Sequence, residues 1–189
     1  MDVELADVAE IRTGYSFRGK VTDDPAGRLA VVQMKDIRDT GQLELAGCFR
    51  IQEEPAHRRH LLQPSDVLIQ ARGTTFPAAR LDAPFHGIAS FGLHVLHPCD
   101  RLLPEYLVWA LNHPVLQATI TGMSKGSSVP FLSKSSLAEL QIPLPSLEIQ
   151  RRFIDVARLE RDVASLTNDL QRLHDQYASA ATWRAATHP

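Results

Sequence analysis

Val156-Ala-Arg-Leu-Glu-Arg-Asp-Val-Ala-Ser-Leu-Thr-Asn-Asp-Leu-Gln-Arg-Leu-His-Asp-Gln-Tyr177 carries apolar side chains at Val156, Leu159, Val163, Leu166, Leu170, Leu173 and Tyr177, and the pattern runs on to Ala180. The spacings are 3, 4, 3, 4, 3, 4 and 3 residues, a heptad seam held through successive repeats. Arg158, Glu160, Arg161, Asp162, Asp169, Arg172 and Asp175 fill the flanks. Upstream, Ser146 is a capping residue and Glu148 sits favourably in a first turn, and no Gly or Pro follows until Pro189. A helix of about 38 residues would be ~57 Å long at its usual rise. A domain built from residues 1–145 has little reason to bury all of that length. The seam therefore predicts a partner helix, which the chain does not itself supply; the alternative is a helix folded back on its own domain.

Residues 1–145 read as a mixed α+β domain. Leu5, Val8 and Ile11 predict a short helix ended by Gly14, which opens the polar, aromatic loop Tyr15 to Lys20. Leu29 to Met34, Cys48 to Ile51, Val67 to Ile69 and Gly87 to Leu96 have strand length and composition, the last with an inward Phe91. Pro104 suits a first helical turn, Tyr106, Leu107, Ala110 and Leu111 form an apolar stripe, and Asn112-His-Pro114 interrupts it. Gly122 to Pro130 is a small-residue loop. Ser136 and Glu139 have capping-box spacing, and Gln141-Ile-Pro-Leu-Pro145 predicts an extended connector.

Composition sets outer limits. With 44% hydrophobic and 22% charged residues, the chain can build a real core and is not wholesale disordered. Two cysteines, Cys48 and Cys99, are too few for a disulfide framework. The acidic start Met-Asp-Val-Glu-Leu is unlike a signal peptide, and no apolar run approaches membrane-spanning length, so a cytoplasmic location is expected. Net charge is −2, with 14 basic and 16 acidic side chains in residues 1–145 and 6 of each beyond. That balance argues against non-specific DNA binding, while a site-specific reader needs only a local basic surface.

Several chemistries are approached and missed. Gly14-Tyr-Ser-Phe-Arg-Gly19-Lys20 spells the front of a phosphate-binding loop, but Val21 stands where Ser or Thr would hold magnesium. His57-Arg-Arg-His60 and His94-Val-Leu-His97 with Cys99 suggest a metal. On a strand, however, His94 and His97 face opposite sides, and no Cys-x-x-Cys completes a set. Ser124-Lys125 and Ser133-Lys134 are better explained by loop and helix-start roles than by a nucleophile. Asp66 stands at a strand entrance, yet Gln70 and Arg72 occupy the places where a nuclease strand would carry a second carboxylate and a lysine. No methyltransferase motif and no glycine-rich cofactor fingerprint is present. The residues call for no cofactor or metal.

Six stretches resemble the DNA-specificity (S) subunits of type I restriction–modification systems: Leu5 to Gly14, Val32 to Ile37, Pro64 to Gly73, Pro104 to Asn112, Val129 to Leu137, and Ile142 to Arg152. Each alone is weak; six in order over nearly the whole chain are specific. The resemblance implies a target-recognition domain at 1–145 that docks on double-stranded DNA. It also implies a helix at 146–189 that spaces domains and receives the modification (methyltransferase) subunit, with a restriction subunit as a further partner. Catalysis would then belong to partner subunits. Such S subunits usually carry two domain–helix units, and this sequence carries one. Pairing through Val156, Leu159, Val163, Leu166, Leu170, Leu173 and Tyr177, with a second copy or another specificity chain, would supply the other.

For that role, phosphate contacts set register and base-edge contacts set specificity. Three loops offer suitable groups: Tyr15, Arg18 and Lys20; Gln70, Arg72, Thr74 and Thr75; and Lys125, Ser127 and Ser128. Gln70 and Arg72 suit bidentate base contacts, Lys125 with the serine pair suits a phosphate clamp, and Lys35 and Lys134 are further candidates. Two other function classes remain. One is a protein-binding adaptor, favoured by the mild acidity of residues 1–145. The other is a stand-alone hydrolase, for which no convergent acid, base and nucleophile can be assembled.

Overall fold

Leu29-Ala-Val-Val32 is apolar at every position because it is buried on both faces, and in the computed structural model it is the middle strand of a three-stranded sheet. The structure describes residues 2–124 and 129–187, without the side chains of 161, 180–182 and 184–187. In chain order the strands are β1 (Asp2–Glu4), β2 (Ala9–Thr13), β3 (Leu29–Val32), β4 (Phe49–Ile51), β5 (Val67–Gln70), β6 (Ala78–Arg80), β7 (Gly87–Ala89), β8 (Leu93–Pro98) and β9 (Gln141–Pro143). The helices are α1 (Pro104–Asn112), α2 (Pro114–Met123), α3 (Lys134–Ala138) and α4 (Leu147–Thr187). Short 3-10 turns lie at Leu5–Asp7, Met34–Asp36 and Pro55–His60. This is a mixed α+β fold with a long C-terminal helix, as the sequence predicts.

β3 pairs antiparallel with β4 and parallel with β7, while β2-β8-β5-β6 forms an antiparallel sheet and β1 pairs with β9. Leu29 and Val31 pack with Ile88 on one side of β3. Val32 joins Leu68, Leu93 and Val95 on the other, which links the two larger sheets into one core. The outer edge of β6 is closed by side-chain amides. Asn112 accepts from the Ala78 N–H and donates to its carbonyl, and Gln117 does the same for Phe76. Those contacts satisfy main-chain groups that would otherwise offer a template to another strand.

Three local expectations are corrected. The helix expected over Leu5 to Ile11 shrinks to the 3-10 turn Leu5–Asp7, and Ala9 onward is strand β2. A five-residue ladder from Ala9↔Pro98 to Thr13↔His94 outweighs the helical spacing of three apolar residues. The single strand expected over Gly87 to Leu96 is two strands in different sheets, β7 and β8, joined by a turn. Phe91 sits in that turn and is 40% exposed, not inward. The cap of α3 is Ser133, whose hydroxyl accepts from the Ser136 N–H, so Ser136 lies inside the helix.

The chain divides into two compact units, Met1–Gln150 and Arg151–Pro189. The first turn of α4 belongs to the first unit through Gln150, a wholly buried side chain. Its amide oxygen accepts from the Leu103 N–H at 2.8 Å, and its nitrogen donates to the carbonyls of Arg101 and Pro145, each at 2.9 Å. Beyond it, α4 leaves Val156, Leu159, Val163, Leu166, Leu170, Leu173 and Tyr177 between 47% and 76% exposed. The seam is thus bare along its described length; the Ala180 side chain lies outside the described residues. Among the described residues no helix is long and apolar enough to cross a membrane.

Candidate nucleic-acid interface

Gln70, the last residue of β5, aims its amide back into the domain and donates to the carbonyls of Met34 and Ile37 at 2.9 and 3.2 Å. It thereby anchors the 3-10 turn that presents Lys35, whose Nζ lies 4.1 Å from the centre of the Phe49 ring and 4.0 Å from Asp36. Asp36 is buried and accepts from the Gln33 N–H at 2.8 Å, which fixes the start of the same turn. Gly92 approaches this turn so closely that a Cβ there would lie 2.7 Å from the Met34 sulfur. The result is an open depression of about 500 Å³ lined by Lys20, Val21, Gln33, Met34, Lys35, Phe49, Ser90 and Gly92. Two lysines, a glutamine and a serine thus line one depression whose surface is largely apolar.

Beside it stands a second group, reached through the Ser90–Gly92 turn. Beyond Gln70 the chain continues in ladder-like pairing with residues 130–132. The Leu132 N–H donates to Ala71, the Gly73 N–H to Pro130, and Arg72 bridges Phe131. Gly73 takes φ +130°, a conformation that favours glycine, and turns the chain away after Arg72. Arg72 is exposed, with its guanidinium carbon 5.5 Å from the ring centre of Phe91 and 5.3 Å from that of Phe131. The two rings are near-parallel at 6.4 Å. No carboxylate pairs with Arg72 among the described residues.

Residues 1–170 match the family described as the type I restriction modification DNA specificity domain. The chain belongs to that family. A curated relative, the type I restriction enzyme MjaIX specificity subunit of Methanocaldococcus jannaschii, is 23% identical over 159 residues, covering 81% of this chain and 36% of the relative. A solved chain from work on complex assembly and conformational transition of the type I R-M system aligns at TM-score 0.65 and 25% identity, over 88% of this chain and 39% of that one. The HsdS subunit of Thermoanaerobacter tengcongensis has the same fold at TM-score 0.63 and 24% identity, over 88% and 38% of the two chains. The chain therefore spans well under half the length of these relatives.

Within this specificity-domain chain, the structure gathers some of the sequence candidates and disperses others. Lys20 and Lys35 share the depression, Arg72 stands beside it, and Arg18, Thr74 and Thr75 are exposed on the flanking loops. Lys134 is exposed at the start of α3, two residues after Leu132. Lys125, Ser127 and Ser128 lie outside the described residues. Gln70 has both amide protons committed to the fold. Tyr15 is half-buried, its ring edge-on to Phe17 and His57 at 4.8 Å each. Each thus meets partners within the domain that the sequence could not place next to it. Gln33, Phe49, Ser90, Phe91 and Phe131 are not among the sequence candidates for DNA contact; only the meeting of separate strands collects them.

His94, on β8, helps fix the Phe131 strand. Its Nε2 donates to the Leu132 carbonyl at 2.8 Å, which leaves Nδ1 buried with no hydrogen-bond partner among the described residues. Burial pushes this imidazole below its ordinary value of 6.5, with the Leu132 bond opposing and the Lys134 charge adding to the shift. The unfolded chain accordingly binds a proton near 6.5 that the folded chain does not, so this contribution to stability is full above that pH and lost as pH falls below it. Thermal melts at pH 7.5 and 5.5 are expected to show a lower Tm in acid, with a smaller drop in His94→Gln. His60 is shifted down by burial as well, so part of the slope remains. An unchanged slope in His94→Gln would show that His94 is not the group responsible.

Proposed function

We propose that this chain is the sequence-specific DNA-recognition component of a type I restriction–modification complex and performs no catalysis itself. The observation that carries the reading is the joining of Lys20 and Lys35 in one depression, with Arg72 beside it, on a domain of the specificity family. In this reading Arg18, Lys20, Lys35, Lys134 and, outside the described residues, Lys125, Ser127 and Ser128 contact phosphates. Arg72, Thr74 and Thr75 face base edges. The domain directs a methyltransferase subunit, and a nuclease subunit where present, to its site. The bare seam of α4 pairs with a second copy, or with another specificity chain, so that two domains read a bipartite target. Antiparallel pairing of two copies would give two symmetric half-sites at a fixed spacing.

Selection from a random duplex pool, using the full chain assembled with a type I modification subunit, tests the reading. One enriched motif is expected. With about six phosphates neutralised, affinity should fall about a thousandfold between 50 and 200 mM salt. An assembly that selects no motif and binds with little salt dependence would favour the protein-binding adaptor, to which the net charge of −2 over residues 1–145 also points.

A further inference from the structure

Arg72 is held differently from the two lysines of the depression: Lys35 lies over the single ring of Phe49 and beside Asp36, whereas Arg72 has two rings near it and no carboxylate among the described residues. Lys20 and Lys35 end in single ammonium groups on flexible stems, suited to a phosphate at any orientation. The Arg72 guanidinium instead lies against two rings, and those rings are themselves near-parallel and 6.4 Å apart. Its main chain is pinned as well. Arg72 bridges Phe131, the neighbouring Ala71 donates to Gly92 at 2.8 Å and accepts from Leu132 at 2.9 Å, and Gly73 donates to Pro130 at 3.1 Å. A planar fork set near two ring faces on a pinned main chain has fewer orientations open to it than a lysine ammonium on a free stem. A guanidinium fork can donate bidentately to a phosphate or to a flat base edge; the pinned main chain and the two rings, which limit its reach to one place, favour the single fixed edge.

We propose that Arg72 reads a guanine of the target by donating to its O6 and N7, and that Phe91 and Phe131 are positioning residues that hold the fork for this contact. Among the four bases, guanine presents two acceptors side by side in the major groove, the complement of a guanidinium edge. The exposure of Phe91, costly for a phenyl ring with no packing role, follows from this arrangement: the ring must stand at the surface to brace a surface arginine. The inference rests on the DNA-recognition reading above and goes further by naming one base and three residues.

The same random-duplex selection, run with variants of the full chain in the assembly, decides it. The parent should enrich a motif with an invariant guanine in each half. Arg72→Gln and Arg72→Ala should lose discrimination at that one position by about 5- to 150-fold while keeping the rest of the motif. Phe91→Leu should weaken the same position alone by a smaller factor, and Phe91→Tyr should restore it. Because Phe91 is exposed, its variants keep the test decisive even if thermal melts show that Arg72 substitutions unfold the domain. A parent motif left unchanged by Arg72→Ala and Phe91→Leu overturns the inference and leaves the DNA-recognition reading standing. Equal weakening on all sequences, with the salt slope reduced by about one, would make Arg72 a phosphate contact and also overturns it. If the parent enriches no motif at all, the functional reading falls and this inference falls with it.

Discussion

Replacing both Leu166 and Leu170 by aspartate is expected to halve the mass that light scattering reports for the purified protein at micromolar concentration. The two leucines are 63% and 68% exposed on α4, and they occupy adjacent turns of a seam that is bare along its described length. In a two-helix pairing each would be covered by the other copy, at roughly 1.5–3 kcal/mol per side chain. Four leucines per dimer therefore contribute about 6 kcal/mol or more, on the order of 10⁴-fold in Kd. The double variant removes that apolar area and also places four carboxylates in the interface. The domain of residues 1–150 should keep its melting transition, since neither leucine belongs to its core. Asn168→Asp, on the same helix but off the seam, should leave the mass unchanged. Equal masses for parent and double variant would end the self-pairing proposal.

The second large effect is expected at Asp66. Its side chain is wholly buried, yet both oxygens are used: one accepts from His97 at 2.8 Å, the other from the Arg12 guanidinium at 3.0 Å and the Gln63 N–H at 2.8 Å. These contacts join β2, β8 and the entrance of β5, the three strands that carry Gln70 and Arg72 into place. Asp66→Ala would strand the Gln63 N–H and leave a half-buried guanidinium with Glu10, 3.9 Å away, as its remaining carboxylate among the described residues. Breaking a buried pair in this way costs about 3–5 kcal/mol. Arg12 and His97 keep some access to water, so a loss of about 3 kcal/mol is the better expectation, or roughly 6–12 °C in Tm. Asp66→Asn should fall between parent and alanine, because one acceptor survives while its new donor faces other donors. A change of less than about 1 kcal/mol by urea titration would show that water replaces the carboxylate at little cost.

Asp66 also marks where sequence reasoning reaches its limit. A lone carboxylate at a strand entrance can be weighed as a nuclease ligand and set aside for want of partners, but its side-chain partners, His97 and Arg12, sit 31 and 54 positions away. Gln70 is a similar case. As a residue type it suits an adenine, and only its proximity to Met34 and Ile37 shows that its amide nitrogen already donates within the fold. Phe91 errs in the other direction. Within an apolar run it reads as core, and the division of that run between two sheets turns it outward beside Arg72. In each case the residue's chemistry is legible, but its neighbours are set by strand pairings of long sequence separation.

What the sequence determined by itself is everything that follows from local period and order. The heptad spacing from Val156 to Tyr177 requires a long helix with an apolar seam, the proline-marked start at Pro104 and the stripe after it require a helix there, and the apolar runs at Leu29 and Val67 require buried strands. These signals are carried by neighbouring residues, whose geometry the backbone period dictates. Tertiary structure alone decided that β2 is a strand and not a helix, that Gln150 locks the start of α4 to the domain, that Lys20 and Lys35 line one depression, and that Arg72 meets Phe91 and Phe131. Each of those depends on which distant main-chain groups meet. Hydrogen-bond satisfaction and burial across the whole chain choose those meetings, and no local pattern encodes them.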